Sequence, residues 1–432
     1  MSVSRSLLLF CLLLCACASE QNDPYPDSDR GKNILYSAFT ERPKHLDPAR
    51  SYTEDESVFT AQVYEPPLQY HYLKRPYTLI PGTAEKVPEP VYYNAQGNVL
   101  SSDAPAQIIA HSVYEIRIRP GIRYQPHPAF ALDEKGQPVY TQLDPTTLSA
   151  IHAIADFPKT GTRELTADDY IYQIKRLAHP RVHSPIFGMM ATHIVGLKEF
   201  GDVLQEKMKT LPADAWLDLD RHEIEGVTRV DRYTYRIKLN GKYPQFRYWL
   251  AMPFFAPIPR EADQFFSQPG MAEKNLILDW YPIGTGPYML AENNPNSRMV
   301  LERNPNFHGE PYPCEGDAGD EEAGLLADCG KPLPLVDRIV FSRERESIPY
   351  WNKFLQGYYD VSGISSDSFD QAVRLNVGGD VQLSDEMQDK GIRLLTSVQT
   401  STFYMGFNMR DPVVGGDGKE GEIGRASWRE RV

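Results

Sequence analysis

The sequence predicts a mixed α/β fold. Three observations carry that reading. Val113 to Arg119 sets Tyr114, Ile116 and Ile118 against Glu115, Arg117 and Arg119, the period-two alternation of a half-buried strand. Thr166 to Ala178 has helical period instead, with Tyr170, Ile171, Ile174, Leu177 and Ala178 on one face. The 432 residues include 35 prolines, which implies too many turns and surface connections for a helical bundle.

The chain opens on a different kind of segment. Met1 to Ser6 carries Arg5 and the amino terminus as positive charge, and Leu7 to Leu14 is an unbroken apolar run. That run is far shorter than the ~20 apolar residues of a membrane-spanning helix. A charged start, a short apolar core and small residues after it describe an export signal over residues 1–16. The cleavage region, Leu14-Cys15-Ala16-Cys17, resembles the bacterial lipobox, which makes Cys17 the lipid-bearing first residue of the mature chain. Cys15 is the wrong position because Leu14 before it is not small. The alternative is an ordinary signal with an incidental cysteine. Residues 17–32 then form a tether, polar and Pro-containing from Asn22 to Arg30.

Further elements follow in order. Asn33 to Phe39 predicts a strand with Ile34, Tyr36 and Ala38 on one face. Val113 to Arg119 runs into a Pro120-Gly121 turn. Thr166 caps the helix, Asp169 occupies its third position, and Pro180 stops it. Tyr233 to Leu239 alternates and ends at Asn240-Gly241. Strands are also expected around Val300, at Ile339 to Phe341 and at Phe403 to Met409. A short helix at Pro349 to Leu355 breaks at Gly357.

Composition excludes several functions. Net charge is −13 and no stretch after the signal is rich in Lys and Arg, so nucleic acid is not an expected partner. Nothing beyond Leu14 is long and apolar enough to span a bilayer. No Gly-x-Ser-x-Gly elbow, His-Glu-x-x-His pair or phosphate-cradling glycine loop is present, and no enzyme, cofactor or metal is indicated. His179 and His183 have metal spacing, but Pro180 between them reads as a surface turn. Of the five cysteines, only Cys314 and Cys329 lie beyond the signal and the lipid site. An even pair in an exported chain favours a disulfide. Acidic residues between them, among them Asp317, Asp320 and Asp328, raise calcium as an alternative, without the Asp-x-Asp-x-Asp-Gly spacing.

An ordered set of segments then carries a resemblance. Leu46-Asp47-Pro48-Ala49 precedes Val63-Tyr64-Glu65 and Leu79-Ile80-Pro81-Gly82-Thr83-Ala84-Glu85. Leu165-Thr166-Ala167-Asp168-Asp169-Tyr170, Gly284-Thr285-Gly286-Pro287-Tyr288 and Leu301-Glu302-Arg303-Asn304-Pro305 follow, with Phe354-Leu355-Gln356-Gly357 after them. In that order, from about Asn33 to Pro412, the chain resembles the family 5 extracellular solute-binding proteins, the oligopeptide- and dipeptide-binding type that feed ABC importers. The resemblance implies a periplasmic-binding-protein-like two-lobe α/β fold. A solute-binding domain over residues 33–412 would hold an inserted subdomain at 67–225. It further implies a monomer in the cell envelope, on the periplasmic side, held to the membrane by lipid. Its partners would be a peptide ligand and the permease subunits of an ABC importer. The same fold with other cargo (a nickel complex, haem or an oligosaccharide) is the first alternative, and an envelope hydrolase the second.

The chain departs from that family in places. Pro66-Pro67 replace a less constrained segment, Gln125-Pro126-His127-Pro128 opens an insertion, and the stretch between Cys314 and Cys329 is additional. Family members continue past a strand like Phe403 to Met409, so the second lobe is expected to be largely missing. Residues 413–432, which turn basic at Arg425, Arg429 and Arg431, are expected to be a truncated or non-native tail. The resemblance places Tyr404 beside the cleft as a ligand contact, with a plain core role as its alternative. Tyr64 and Glu65 are further ligand candidates from the first lobe. The Gly284 to Pro287 turn reads as a structural bend rather than a binding loop.

Overall fold

A computed structural model describes residues 24–212, 215–376, 381–396 and 404–408. Cys17 and the tail beyond residue 408 lie outside the described residues. The chain divides into two compact units, Met1–Gly363 and Ile364–Val432.

Labelling the strands and the four longest helices, the first unit runs in this order. β1 (Ile34–Phe39) leads to α1 (Glu54–Val63), then to the hairpin β2 (Leu68–Tyr70) and β3 (Leu79–Pro81). Next come β4 (Val91–Tyr93), β5 (Val99–Leu100) and β6 (His111–Arg117), followed by α2 (Ala167–Leu177) and α3 (Leu197–Met208). β7 (Val227–Arg229), β8 (Thr234–Asn240), β9 (Tyr288–Asn294) and β10 (Arg298–Arg303) follow. β11 (Glu310–Pro311), β12 (Pro332–Leu333), β13 (Arg338–Arg343) and α4 (Ser347–Leu355) complete it. The α/β class read from the sequence is what the structure shows.

Two sheets organise this unit. One has the order β1-β13-β10-β9, and β1 pairs with β13 in parallel, Ile34 opposite Arg338 and Phe39 opposite Arg343. The other has the order β5-β4-β6-β8-β7 and is antiparallel throughout. Its strands β7 and β8 lie beyond Glu225, so this sheet extends past the segment expected as an inserted subdomain. Buried side chains from both sheets form one continuous core that includes Phe39, Phe341, Tyr114 and Ile237.

Local signals worked where the chain meets its neighbours as expected. Tyr114, Ile116 and Ile118 are all buried. Gly121 and Gly241 take left-handed backbone at the two turns, with φ of +87° and +64°, a conformation that costs glycine little. Thr166 and Asp169 form the capping box of α2. Gly357 ends α4 with φ of +82°. At three places the structure goes beyond or departs from these expectations. In β1 the most buried positions are Ser37 and Phe39, not the Ile34, Tyr36 and Ala38 face, because β1 packs through the opposite pleat. Helix α2 was expected to present one apolar stripe, yet Asp169, Gln173, Lys175 and Arg176 are buried as well. Each has a partner: Arg163, the Phe254 carbonyl, Asp220 and Asp47. Residues 404–408 have no strand, contrary to the element expected at Phe403 to Met409, whose end residues are not described.

Glu56 ties the start of α1 to the preceding loop. Its Oε1 accepts from the Lys44 and His45 N–H groups at 3.2 and 2.9 Å, and its Oε2 from Tyr52 and Thr53 at 3.1 and 3.4 Å. Burial pushes its pKa up, but these four donors outweigh burial and hold it below the ordinary 4.5. Glu56→Gln would aim an amide NH₂ at two backbone donors, and an expected loss of about 3 kcal/mol follows from those unsatisfied groups. A depressed carboxylate contributes its stability above the unfolded pKa and loses it as pH falls through the folded one. Urea midpoints at neutral and acid pH should therefore separate wild type from the variant at neutral pH and converge in acid.

Cys314 and Cys329 are joined in a disulfide. The loop they close sits above the β11–β12 pair and reaches the β2–β3 hairpin: Lys74 Nζ lies 2.6 Å from Glu315 Oε2, and the Arg75 N–H donates to Asp317. In the second unit, β14 (Val373–Leu375) pairs with β15 (Val381–Leu383), and a short helix, Asp385–Asp389, follows.

Candidate ligand-binding site

Two recesses stand out in the first unit. One, of about 670 Å³, opens beside the start of α3, where Lys198, Glu199, His222 and Glu223 line it. Among the described residues it holds no buried side-chain polar atom without a partner. The other is a groove of about 520 Å³ between the end of α1, the β2–β3 hairpin and the β9 and β13 strands. Tyr70, Tyr72, Tyr288, Phe307 and Leu335 give it aromatic and apolar walls. A buried atom without a partner does occur here, Glu65 Oε2. A buried carboxylate oxygen left unpaired is costly unless something else supplies the donor. That makes this groove the candidate site.

The backbone around Glu65 is held from several sides. Tyr64 ends α1 in extended conformation, and Pro66 restricts Glu65 to extended backbone before it. The Pro66 and Pro67 carbonyls accept from Thr83, Gly82 and Ala84. The last turn of α1 meets the Gly284–Pro287 segment almost backbone to backbone. The Gly286 N–H donates to the Val63 carbonyl at 2.9 Å, and a Cβ on Gly284 would lie 1.8 Å from that same oxygen. The segment is thus a structural bend, and the glycines are there for close approach.

Side chains then set the chemistry. Glu65 Oε1 lies 2.8 Å from His308 Nε2. Burial disfavours the imidazolium, but the Glu65 carboxylate beside it outweighs burial and raises the His308 pKa above its ordinary 6.5. Across the groove, Glu310 accepts from the Gln69 amide and, at 3.3 Å, from the Tyr72 hydroxyl. Burial and the nearby Glu310 push the Tyr72 phenol pKa up, so it stays a neutral donor. The groove is therefore acidic in its fixed groups and aromatic in its walls. Such a surface suits a ligand with cationic and apolar parts.

The sequence candidates divide. Glu65 lines the groove. Tyr64 is 3% exposed and contributes a wall, while its hydroxyl lies on the side of Asp47 and Asp279. Tyr404 belongs to the second unit and is 88% exposed. Sequence reasoning missed His308, Glu310 and Tyr72. His308 lies three residues after the quoted Asn304-Pro305 motif, but no local pattern pairs it with a residue 243 positions away.

Residues 160–416, more than half of the chain, match the bacterial extracellular solute-binding proteins, family 5. The chain belongs to that family. Among curated relatives of this solute-binding family, the periplasmic oligopeptide-binding protein OppA of Salmonella typhimurium is 30% identical over 144 residues, 33% of this chain and 23% of that protein. Among solved structures, the murein tripeptide-binding protein MppA of Escherichia coli is 17% identical with a TM-score of 0.48, over 79% of this chain and 48% of that one. The periplasmic binding protein DppA of Helicobacter pylori, solved with the peptide STSA, is 16% identical with a TM-score of 0.48, over 80% and 49%. The chain thus spans about half the length of these solved structures, and less of the curated relative. The family is one of extracellular solute-binding proteins, not of enzymes.

Proposed function

We propose that this chain captures peptides outside the cytoplasm for an ABC importer, without catalysing a reaction, while a lipid on Cys17 holds it at the membrane. The observation that carries the peptide reading is the groove: a buried, unpaired Glu65 oxygen set among tyrosines that can stack on side chains. Family membership and the names of the relatives, which are peptide-binding proteins, support it. An extended peptide offers main-chain donors and acceptors at regular spacing, so one groove tolerates many sequences. Lipid anchoring would keep capture and delivery at one surface. Tyr404 is proposed as a further ligand contact, and the protein as a monomer.

The test is native mass spectrometry of protein purified from its host envelope without denaturant. Co-purifying peptides, together with a diacylglyceryl mass on Cys17, are the expected result. A sugar or metal chelate in their place overturns the peptide reading, and an unmodified Cys17 overturns the anchor.

A further inference from the structure

His308 and Glu65 meet with both side chains 14% exposed, and Glu65 lines the groove. His308 Nδ1 lies 3.0 Å from the Gly309 carbonyl oxygen. A carbonyl oxygen only accepts, so Nδ1 carries a hydrogen. Nε2 faces the Glu65 carboxylate at 2.8 Å. That contact is a hydrogen bond only when a second proton lies between the two atoms. A singly protonated ring would set a nitrogen lone pair against a carboxylate oxygen. Two acceptors around one ring therefore require the imidazolium, or its equivalent with the shared proton on Glu65.

The surroundings are sparse in other charge. Arg119, just after β6, opposes the positive ring. Among the described residues, Tyr72 from the hairpin, Tyr170 from α2 and Glu310 from β11 are further titratable groups around the pair, with the two tyrosines facing Glu65 and Tyr72 also bonded to Glu310. None of these supplies a cation to the free Oε2 of Glu65, which remains unpaired.

We propose that His308 is a proton-operated competitor for Glu65, so that a cationic ligand group settles on that carboxylate best once the second imidazole proton has left. This deepens the peptide reading and rests on Glu65 as a ligand group. A ligand ammonium or guanidinium brings its own charge to the carboxylate, and His308 no longer holds its second proton. One proton leaves per ligand bound. Affinity for a cationic ligand then rises about tenfold per pH unit below the imidazole's folded pKa and levels off above it. Because that pKa stands above the ordinary 6.5, the sloping window extends to higher pH than it would for a free imidazole. A ligand without a cationic side chain leaves the proton in place and lacks the slope.

Calorimetry with tri-lysine and tri-alanine on the full protein, from roughly pH 5 to 8, tests this across the histidine range. Buffers of different ionisation enthalpy count the protons released. The expected result is a slope and one released proton for tri-lysine, neither for tri-alanine, and loss of the tri-lysine slope in His308→Gln. Equal slopes for the two peptides, or an unchanged slope in His308→Gln, overturn the proposal. Binding of neither peptide sinks the peptide reading instead. His308 is then judged alone, by NMR titration of its ring with and without saturating methylammonium. A titration that falls in methylammonium and in Glu65→Gln supports the competition, and one that moves in neither overturns it.

Discussion

Gly284→Ala is expected to destabilise the first unit by about 3 kcal/mol or more, at the top of the range for overpacked positions. A Cβ there would lie 1.8 Å from the Val63 oxygen and 2.6 Å from its carbonyl carbon. Both are backbone atoms, so no rotamer change relieves the overlap. Only a shift of the α1 terminus or of the Gly284–Pro287 segment does, and either breaks the Gly286 to Val63 hydrogen bond. Gly286→Ala meets the Gln62 and Val63 oxygens at 2.7 Å and should cost less. Gly188→Ala is the control: nothing lies within 4 Å of its Cβ, and an exposed helical glycine replaced by alanine gains about 0.5–1 kcal/mol. Urea unfolding followed by circular dichroism reads all three. Equal midpoints for Gly284→Ala and Gly188→Ala would overturn the close-approach account. Because Val63 leads directly into Tyr64 and Glu65, the same variant should also disturb the groove.

Arg176→Met is expected to cost about 3–5 kcal/mol, the range for removing one partner of a buried ion pair. Arg176 donates to both Asp47 oxygens, at 2.9 and 2.6 Å, and to the Gln173 side-chain oxygen at 3.0 Å. Arg176 and Asp47 are 3% and 4% exposed. Burial pushes the Asp47 pKa up, but Arg176 outweighs it and the net direction is down. Asp47 therefore contributes stability above its unfolded pKa, lost as pH falls through the folded one. Without Arg176 the carboxylate is a stranded charge, and the loss should shrink in acid as Asp47 takes up a proton. The double variant Asp47→Leu, Arg176→Met removes the stranded Asp47 charge, leaving only Asp263, 3.4 Å from the Arg176 Nε, without that cation, and should be more stable than Arg176→Met alone. Additive losses in that cycle would refute the pairing argument.

These two positions show where local reading succeeds and where it stops. The α2 helix was legible because Thr166, Asp169 and Pro180 act within a few residues of where they stand. Its buried polar face was not, since Arg176 reads as a solvated residue until Asp47, 129 positions earlier, is placed beside it. The glycines of 284–287 were legible as a bend, but the Val63 carbonyl that demands them was not. Of the groove and the residue that contacts it, Glu65 came from a family-like segment, while Glu310 and His308, which meets Glu65, were found only in the folded chain. Tyr404 was expected in a strand, and residues 404–408 form none.

The sequence by itself determined the α/β class, the start and stop of α2, the alternation of β6 and β8 and the family resemblance. Each is written in short-range periodicity, caps and turn residues, or in the order of segments. The tertiary structure alone decided that β1 pairs in parallel with β13, that Arg176 meets Asp47, and that His308 meets Glu65. Those contacts join segments far apart in the chain. Loop closure costs them similar entropy wherever their partners lie, so no local pattern marks them, and only the packed core selects among them.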